Sequence, residues 1–397
     1  MDIYDKPYYK VTKMFASLIG RWPYQSSRQS LVIVTVIWSA FILQAIPQTI
    51  AIINNFDNRE VLLEALAPYI IDIACLIKYA NTIYNAEMVK TLFERIKKDW
   101  SLLSKDREKK ILEYHVDLGR LMSVGYAGFA FITTVIFVTE PILPRIINKL
   151  TKSNESVPLK FALPLEYIIF EKENHYWLML IITNIFAANM IVVIISCDIM
   201  FITCVQHVCG MFAVVGFRIE NAPTDKIMGK NQKEVSSQKN SHDGSYKHLV
   251  SCIRSHRRAL EFAELLEETF TAGFGVIVAL NLPIMSITGL QLITQSNTVQ
   301  QTLKYLLFAI AQMLHLFFDC FLSQNLTDMS SRIQECIANV KWFEISNESQ
   351  KLLILMTMRS QVPCKLTAAK IMELSIENFG MMVKTSGSYF TMLLSMQ

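Results

Sequence analysis

The sequence contains no glycine-rich phosphate-cradling loop, no Walker motif, no Cys-x-x-Cys pair and no His-Glu-x-x-His. An enzyme built on nucleotide, thiol-redox or zinc chemistry therefore has no site to stand on. Charge is scarce as well. Asp, Glu, Lys and Arg make up 18% of the 397 residues, and the net charge of +4 is spread over several loops, which does not mark a nucleic-acid surface. His207 stands alone as a metal candidate, so neither a metal nor a cofactor is expected. The polar stretch from Met1 to Ser30 is too long, and too far from any short apolar core with a small-residue cleavage site, to be a signal peptide. No internal repeat with broken helices at corresponding places suggests a secondary transporter.

What the chain has is apolar length. It is 52% hydrophobic with a mean hydropathy of +0.31, beyond the range of an ordinary soluble protein. Seven apolar stretches, at about 31–53, 62–86, 121–143, 176–203, 269–293, 303–324 and 371–396, are each long enough to cross a bilayer. The expected fold is all-α, with seven transmembrane helices. Of the 38 Lys and Arg residues, 27 fall in the amino-terminal arm and in the second, fourth and sixth loops. The positive-inside rule then puts the N-terminus in the cytosol and the C-terminus outside. This is the inverse of a G-protein-coupled receptor, and neither an Asp-Arg-Tyr motif after the third span nor an outside cysteine pair supports that class. The eight cysteines lie in spans or cytosolic segments, so no disulfide framework is implied. The outside loop 144–174 carries the sequon Asn154-Glu155-Ser156, an expected glycosylation site.

The organisation follows from these spans. Residues 1–30 form a cytosolic arm whose Tyr8, Tyr9, Trp22 and Tyr24 suit anchoring at the membrane interface. Residues 31–324 hold the first six spans, with a ligand pocket and cytosolic helix extensions, interrupted by a polar insertion at 221–245 expected to lack regular structure. Residues 325–366 form cytosolic anchor helices, and 367–397 a terminal helix. Asp72 and Lys78 are ionisable groups inside the second span, read first as structurally paired. In the third span, Phe129, Thr133 and Phe137 recur every four residues. That stripe fits an apolar small-molecule site and core packing equally well.

The terminal stretch carries the one polar stripe on a hydrophobic helix. Thr385, Ser388, Met392 and Ser395 follow at spacings of three, four and three and stack on one face. Phe379, Met382, Phe390 and Leu393 fall elsewhere. Two readings stay open: a water-lined pore, or hydroxyls that bond back to their own carbonyls and help helices pack. Drawn as a helix from Thr367 to Met396, the stretch is about 45 Å long, so its start is expected to project into water.

This tail resembles the C-terminal signature of insect odorant receptors. It shares a Leu-Thr-Ala start at Leu366, a middle at Leu374-Ser375-Ile376-Glu377, and the Lys-Thr-Ser-x-Ser-Tyr-Phe-Thr end from Lys384 to Thr391 with Gly387 at the variable place. Tyr8-Tyr9 and Ile19 to Tyr24 are similar to the start of such receptors in ants, bees and wasps. A gustatory receptor shares the fold, but its tail usually ends in a different threonine-tyrosine-leucine-valine pattern. The resemblance implies an odorant-gated, non-selective cation channel that forms a heterotetramer with a shared co-receptor in the plasma membrane of olfactory neuron dendrites. The last helix would line the pore, with Thr385 and Ser388 along it, a hydrophobic gate at Met392 where the family usually has a smaller aliphatic residue, and Ser395 as a polar ring beyond. It places a pocket for a volatile hydrophobic molecule between spans two, three, four and six. The candidate residues there are Tyr69, Ile73, Phe129, Thr133, Phe137, Tyr176, Leu180, Tyr305 and Phe308.

Overall fold

The structure, a computed structural model, describes residues 2–151, 161, 165–166, 172–223, 238–296 and 298–395. Asn154 lies outside them. In chain order the helices are α1 (Pro7–Leu18), α2 (Ser27–Asn54), α3 (Arg59–Tyr84), α4 (Ala86–Leu102), α5 (Asp106–Thr139), α6 (Leu143–Thr151), α7 (Lys172–Glu220), α8 (Gln238–Thr294), α9 (Val299–Ala338), α10 (Asn347–Ser360) and α11 (Ile376–Ser395). Helices α2, α3, α5, α7, α8, α9 and α11 hold most of each of the seven apolar stretches. Among the described residues, α2, α5, α7, α8 and α9 are long and apolar enough to cross a membrane. Helices α3 and α11 are not among them.

Local chemistry sets the helix starts. Ser26, Asn58, Thr298 and Ser346 each accept a hydrogen bond from a backbone N–H three residues on, which satisfies a donor the first turn leaves free. Gly20 turns the chain between α1 and α2 at φ +68°, a left-handed conformation that glycine takes without a steric penalty. Its carbonyl is held by the Ser30 hydroxyl at 2.6 Å.

The molecule has two halves of different character. Over one half the helices show apolar faces outward, for example Leu31, Val32 and Val36 on α2 and Ile132 and Val135 on α5, as lipid contact requires. In the other half, the extension of α7 from Ser196 to Val215 is almost wholly buried among α1, α5, α8 and α9. At 1.5 Å per residue α8 is about 85 Å long, far longer than the roughly 30 Å hydrocarbon core. The long helices thus continue from the apolar half into the second half.

Three expectations change here. Two of the arm aromatics, Tyr9 and Trp22, are core residues, whereas Tyr8 is partly buried and Tyr24 exposed. Tyr9 is fully buried, its hydroxyl accepts from the Trp100 indole at 2.9 Å, and Tyr8 stacks on the Trp100 ring. Trp22 packs edge-on against Phe93 of α4. Within the polar stretch 221–245, residues 238–245 begin α8; residues 224–237 lie outside the described ones. Finally, Thr367 to Glu373 is not helical. Thr367–Ala368 (β1) pairs antiparallel with Met372–Glu373 (β2), with Ala369 and Lys370 at positive φ between them. The last helix therefore starts at Ile376 and is about 30 Å long, shorter than the 45 Å expected.

Candidate ligand cavity and terminal helix

Between α3, α5, α7, α8 and α9 lies a cavity of about 450 Å³, a size suited to a small molecule. Phe129, Thr133 and Phe137 line it from α5 and Phe308 from α9, and the Phe137 and Phe308 rings stack 6.3 Å apart. Thr133 turns its hydroxyl to its own helix, donating to Ala130 O at 2.9 Å, so it contributes little polarity. The remaining candidates lie outside the wall. Tyr69 bonds Thr49 of α2, Ile73 points outward, Tyr176 lies under the Arg145 guanidinium, Leu180 is buried elsewhere, and Tyr305 donates to Gln295 at 3.1 Å. Their places are taken by Ile71, Asp72 and Cys75 on α3, Met190 and Ile191 on α7, and Gln312 and His315 on α9. A helical face cannot be chosen from an apolar run with no polar side, and a shift of one or two residues turns a wall residue outward.

The polar groups of the cavity are few and concentrated. At one end, Lys78 of α3 forms an ion pair with Asp198 of α7, approaches Asp319 of α9 at 4.0 Å, and lies 2.7 Å from His315 Nε2. Tyr126 of α5 donates to the other Asp198 oxygen at 2.5 Å. Four helices are thereby pinned at one buried point. Of this cluster only Lys78 stands out in the sequence analysis, and Asp198, His315 and Asp319 do not. The signal was present, since each is ionisable within or beside an apolar run, but the pairing depends on how the helices are rotated. Asp72 has another arrangement: one carboxylate oxygen accepts from Gln44 and Gln48 of α2, at 2.8 and 2.7 Å. At the opposite end Lys304 sits between Glu64 at 3.4 Å and Glu140 at 3.9 Å. No group of three or more metal-binding side chains is found among the described residues.

On α11, Thr385, Ser388, Met392 and Ser395 are all exposed, while Met382 and Ser386 are buried. The inner face is fastened to its neighbours: Ser286 of α8 donates to Ser386 O at 3.0 Å, and Phe379 meets Phe317 of α9 edge-on. The stripe hydroxyls donate to backbone carbonyls, Thr385 to Met381 at 2.8 Å, Ser388 to Lys384 at 3.1 Å and Ser395 to Met392 at 2.8 Å. The back-bonded state and the outward-facing stripe therefore coexist. Each hydroxyl oxygen keeps lone-pair capacity toward the open side.

The 7tm Odorant receptor family model matches residues 58–387. The chain belongs to that family. Odorant receptor 22c of Drosophila melanogaster is 19% identical over 97% of this chain and 96% of that protein, and odorant receptor 13a of the same species is 21% identical over 99% and 97%. Odorant receptor Or2 of Anopheles gambiae is 21% identical over 78% of each. The match with odorant receptor 67c of Drosophila melanogaster spans about half of each chain, 49% of this one and 45% of the relative. Among solved structures, olfactory receptor OR5 from Machilis hrabei in complex with eugenol superposes with a TM-score of 0.80 at 14% identity, over 98% of this chain and 97% of that one. The structure of the same protein reported without a ligand in its description gives a TM-score of 0.72 at 12% identity, with the same coverage. This odorant receptor is thus an all-α, multi-pass membrane protein with the fold of an insect olfactory receptor.

Proposed function

We propose that this odorant receptor is the tuning subunit of an odorant-gated, non-selective cation channel, assembled with the family's shared co-receptor as a heterotetramer in the plasma membrane of olfactory sensory neuron dendrites. The N-terminus lies in the cytosol. A volatile, mostly apolar molecule occupies the 450 Å³ cavity, where shape and a few polar contacts select it. It opens the channel by binding the open state better than the closed one. Met392 is the hydrophobic constriction, which gates by dewetting, and Thr385, Ser388 and Ser395 line the water path.

The observation that carries this reading is the two-sidedness of α11. One face is fixed to α8 and α9, and the opposite face, with its hydroxyls, has nothing packed on it in the single chain. A face of that kind fits water or symmetry-related copies around an axis. The mainly aromatic and aliphatic cavity lies in the same apolar half and supplies the ligand site.

The test is electrophysiological. The chain is expressed with and without the co-receptor and challenged with volatile ligands, and cation current is expected only with both subunits present. Met392→Ala should change conduction or leak while the ranking of odorants is kept. Unchanged currents and ion selectivity in that variant would remove the pore assignment. Removal of the sequons at Asn154, Asn325 and Asn347, one at a time, checks orientation: only Asn154 should be glycosylated.

A further inference from the structure

A second cavity, of about 570 Å³, lies where the start of α5, the end of α7 and the first part of α8 meet. Its chemistry is opposite to that of the ligand cavity. Arg218 is held rigidly in its wall, by the buried Glu108 carboxylate at 2.6 Å and the Ser255 hydroxyl at 2.6 Å. Arg257 is answered by Glu261 at 2.7 Å. Those two pairs use both carboxylates of the lining. Lys105, Arg254 and Arg258 remain, and among the described residues none of them has a carboxylate partner. Arg258 reaches only the Ser255 hydroxyl, at 3.3 Å, and its Nε is buried with no acceptor. Each such buried donor left without a partner is costly, so an acceptor brought to this place is favoured. Lys105 is the N-cap of α5 and no side chain caps that helix, which leaves first-turn N–H groups as further donors.

Three uncompensated cations around one concavity, with guanidinium groups on one helical face at 254 and 258, match a ligand carrying several closely spaced negative oxygens. Phosphate groups supply these, and Arg binds them with two parallel hydrogen bonds. The position decides between a lipid headgroup and a soluble ligand. Arg218 lies 15 residues beyond the apolar stretch that ends near 203, and Lys105 lies 16 residues before the one that begins near 121. Both place the cavity about 20 Å beyond the apolar layer, more than twice the roughly 8 Å over which charge acts at physiological salt. We propose that this cavity is a binding site for a soluble polyphosphate, of the nucleoside triphosphate or inositol polyphosphate class, held by Lys105, Arg254 and Arg258. The site is separate from the odorant cavity and from α11, and it stands or falls independently of channel function.

The test uses the full chain in nanodiscs of neutral lipid, with sodium tripolyphosphate as the probe and sodium sulfate at matched ionic strength as the control. Tripolyphosphate should raise the unfolding temperature in a saturable way, and sulfate should not. Arg254→Ala with Arg258→Ala should raise the dissociation constant at least tenfold, and exposed Arg254→Ala alone about threefold. The pair Arg254→Lys with Arg258→Lys, which keeps the charge, should bind with an intermediate constant; this variant and the single one decide the matter if the double alanine variant unfolds. ATP and inositol hexakisphosphate then assign the class by which binds more tightly. A response to tripolyphosphate no larger than to sulfate, or one unchanged in the Arg254 and Arg258 variants, overturns the site. Stabilisation only when phosphatidylinositol bisphosphate is built into the disc overturns the soluble ligand.

Discussion

Ala369, at the tip of the hairpin that precedes the terminal helix, is seated directly against Gly275 of α8: a β-carbon placed on Gly275 would lie 2.5 Å from that of Ala369. The seat is reinforced by hydrogen bonds. Thr271 O accepts from Ala369 N at 2.8 Å, the Thr271 hydroxyl accepts from Lys370 N at 3.2 Å, and Thr367 donates to Glu267 at 2.6 Å. Ala369 and Lys370 both have φ near +55°, which a non-glycine residue adopts only when its surroundings require it. The hairpin thus joins α8 to the base of α11, the helix proposed to line the pore.

Gly275→Ala should therefore force the hairpin off its seat. Overpacking of this kind costs about 1–3 kcal/mol, so the unfolding temperature and surface expression should both fall. Ala369→Gly, which removes the opposing methyl and relieves the positive φ, should restore most of the loss in the double variant. A Gly275→Ala protein of wild-type stability would show that the hairpin is not seated there.

Lys78→Met should be among the most destabilising single changes in the chain. It leaves Asp198 and Asp319 buried without their cation, a loss of about 3–5 kcal/mol. Combined with Asp198→Asn and Asp319→Asn, the same change should cost much less, because no uncompensated charge then remains. Thermal unfolding of the variants in detergent gives the comparison.

Ligand response should separate wall residues from their neighbours. Phe137→Ala enlarges the cavity beside Phe308 and should shift the effective odorant concentration at least tenfold or change which odorant is preferred. Ile73→Ala, on the outer face of α3, should stay within about twofold, since exposed apolar positions contribute little. Dose–response curves with the co-receptor present decide it. An equal effect from both would mean that the cavity is not the ligand site.

Acid should weaken the extramembrane half through His256. Burial, aided by the Arg359 charge, pushes its imidazole down from 6.5 to about 4. Between those values the unfolded chain binds a proton that the folded chain does not, so stability falls as pH drops from about 6.5 toward 4 and levels off below. The loss is up to about 3 kcal/mol. His256→Gln should flatten that part of the stability–pH curve, measured by thermal unfolding in detergent.

The sequence reading met the groups of the ligand cavity unevenly. Phe129, Thr133 and Phe137 are visible as a stripe because α5 repeats them every fourth residue, but Tyr69, Ile73, Tyr176, Leu180 and Tyr305 lie on helices whose apolar residues run all round. Such helices carry no periodic mark of the side that faces a cavity. The arm aromatics are legible as amphipathic rings, yet only the packing of α1 against α4 and α7 makes Tyr9 part of the core. The hairpin at 367–373 was hidden for a similar reason: Leu366 to Met372 looks helical, and the bonds that hold it extended come from Thr271 and Glu267, about 100 residues earlier.

What the sequence determined alone was what depends on composition along the chain. Length and hydropathy set the number and place of the long helices, and the hydroxyl spacing set one face of α11. The tertiary structure decided what depends on the rotation and depth of each helix. It brought Lys78, Tyr126, Asp198, His315 and Asp319 to one point, and left Lys105, Arg254 and Arg258 facing one cavity whose two carboxylates are paired with Arg218 and Arg257. A helix turns 100° per residue, so which side chains meet across helices is fixed by how neighbouring surfaces pack and not by the spacing within any one of them.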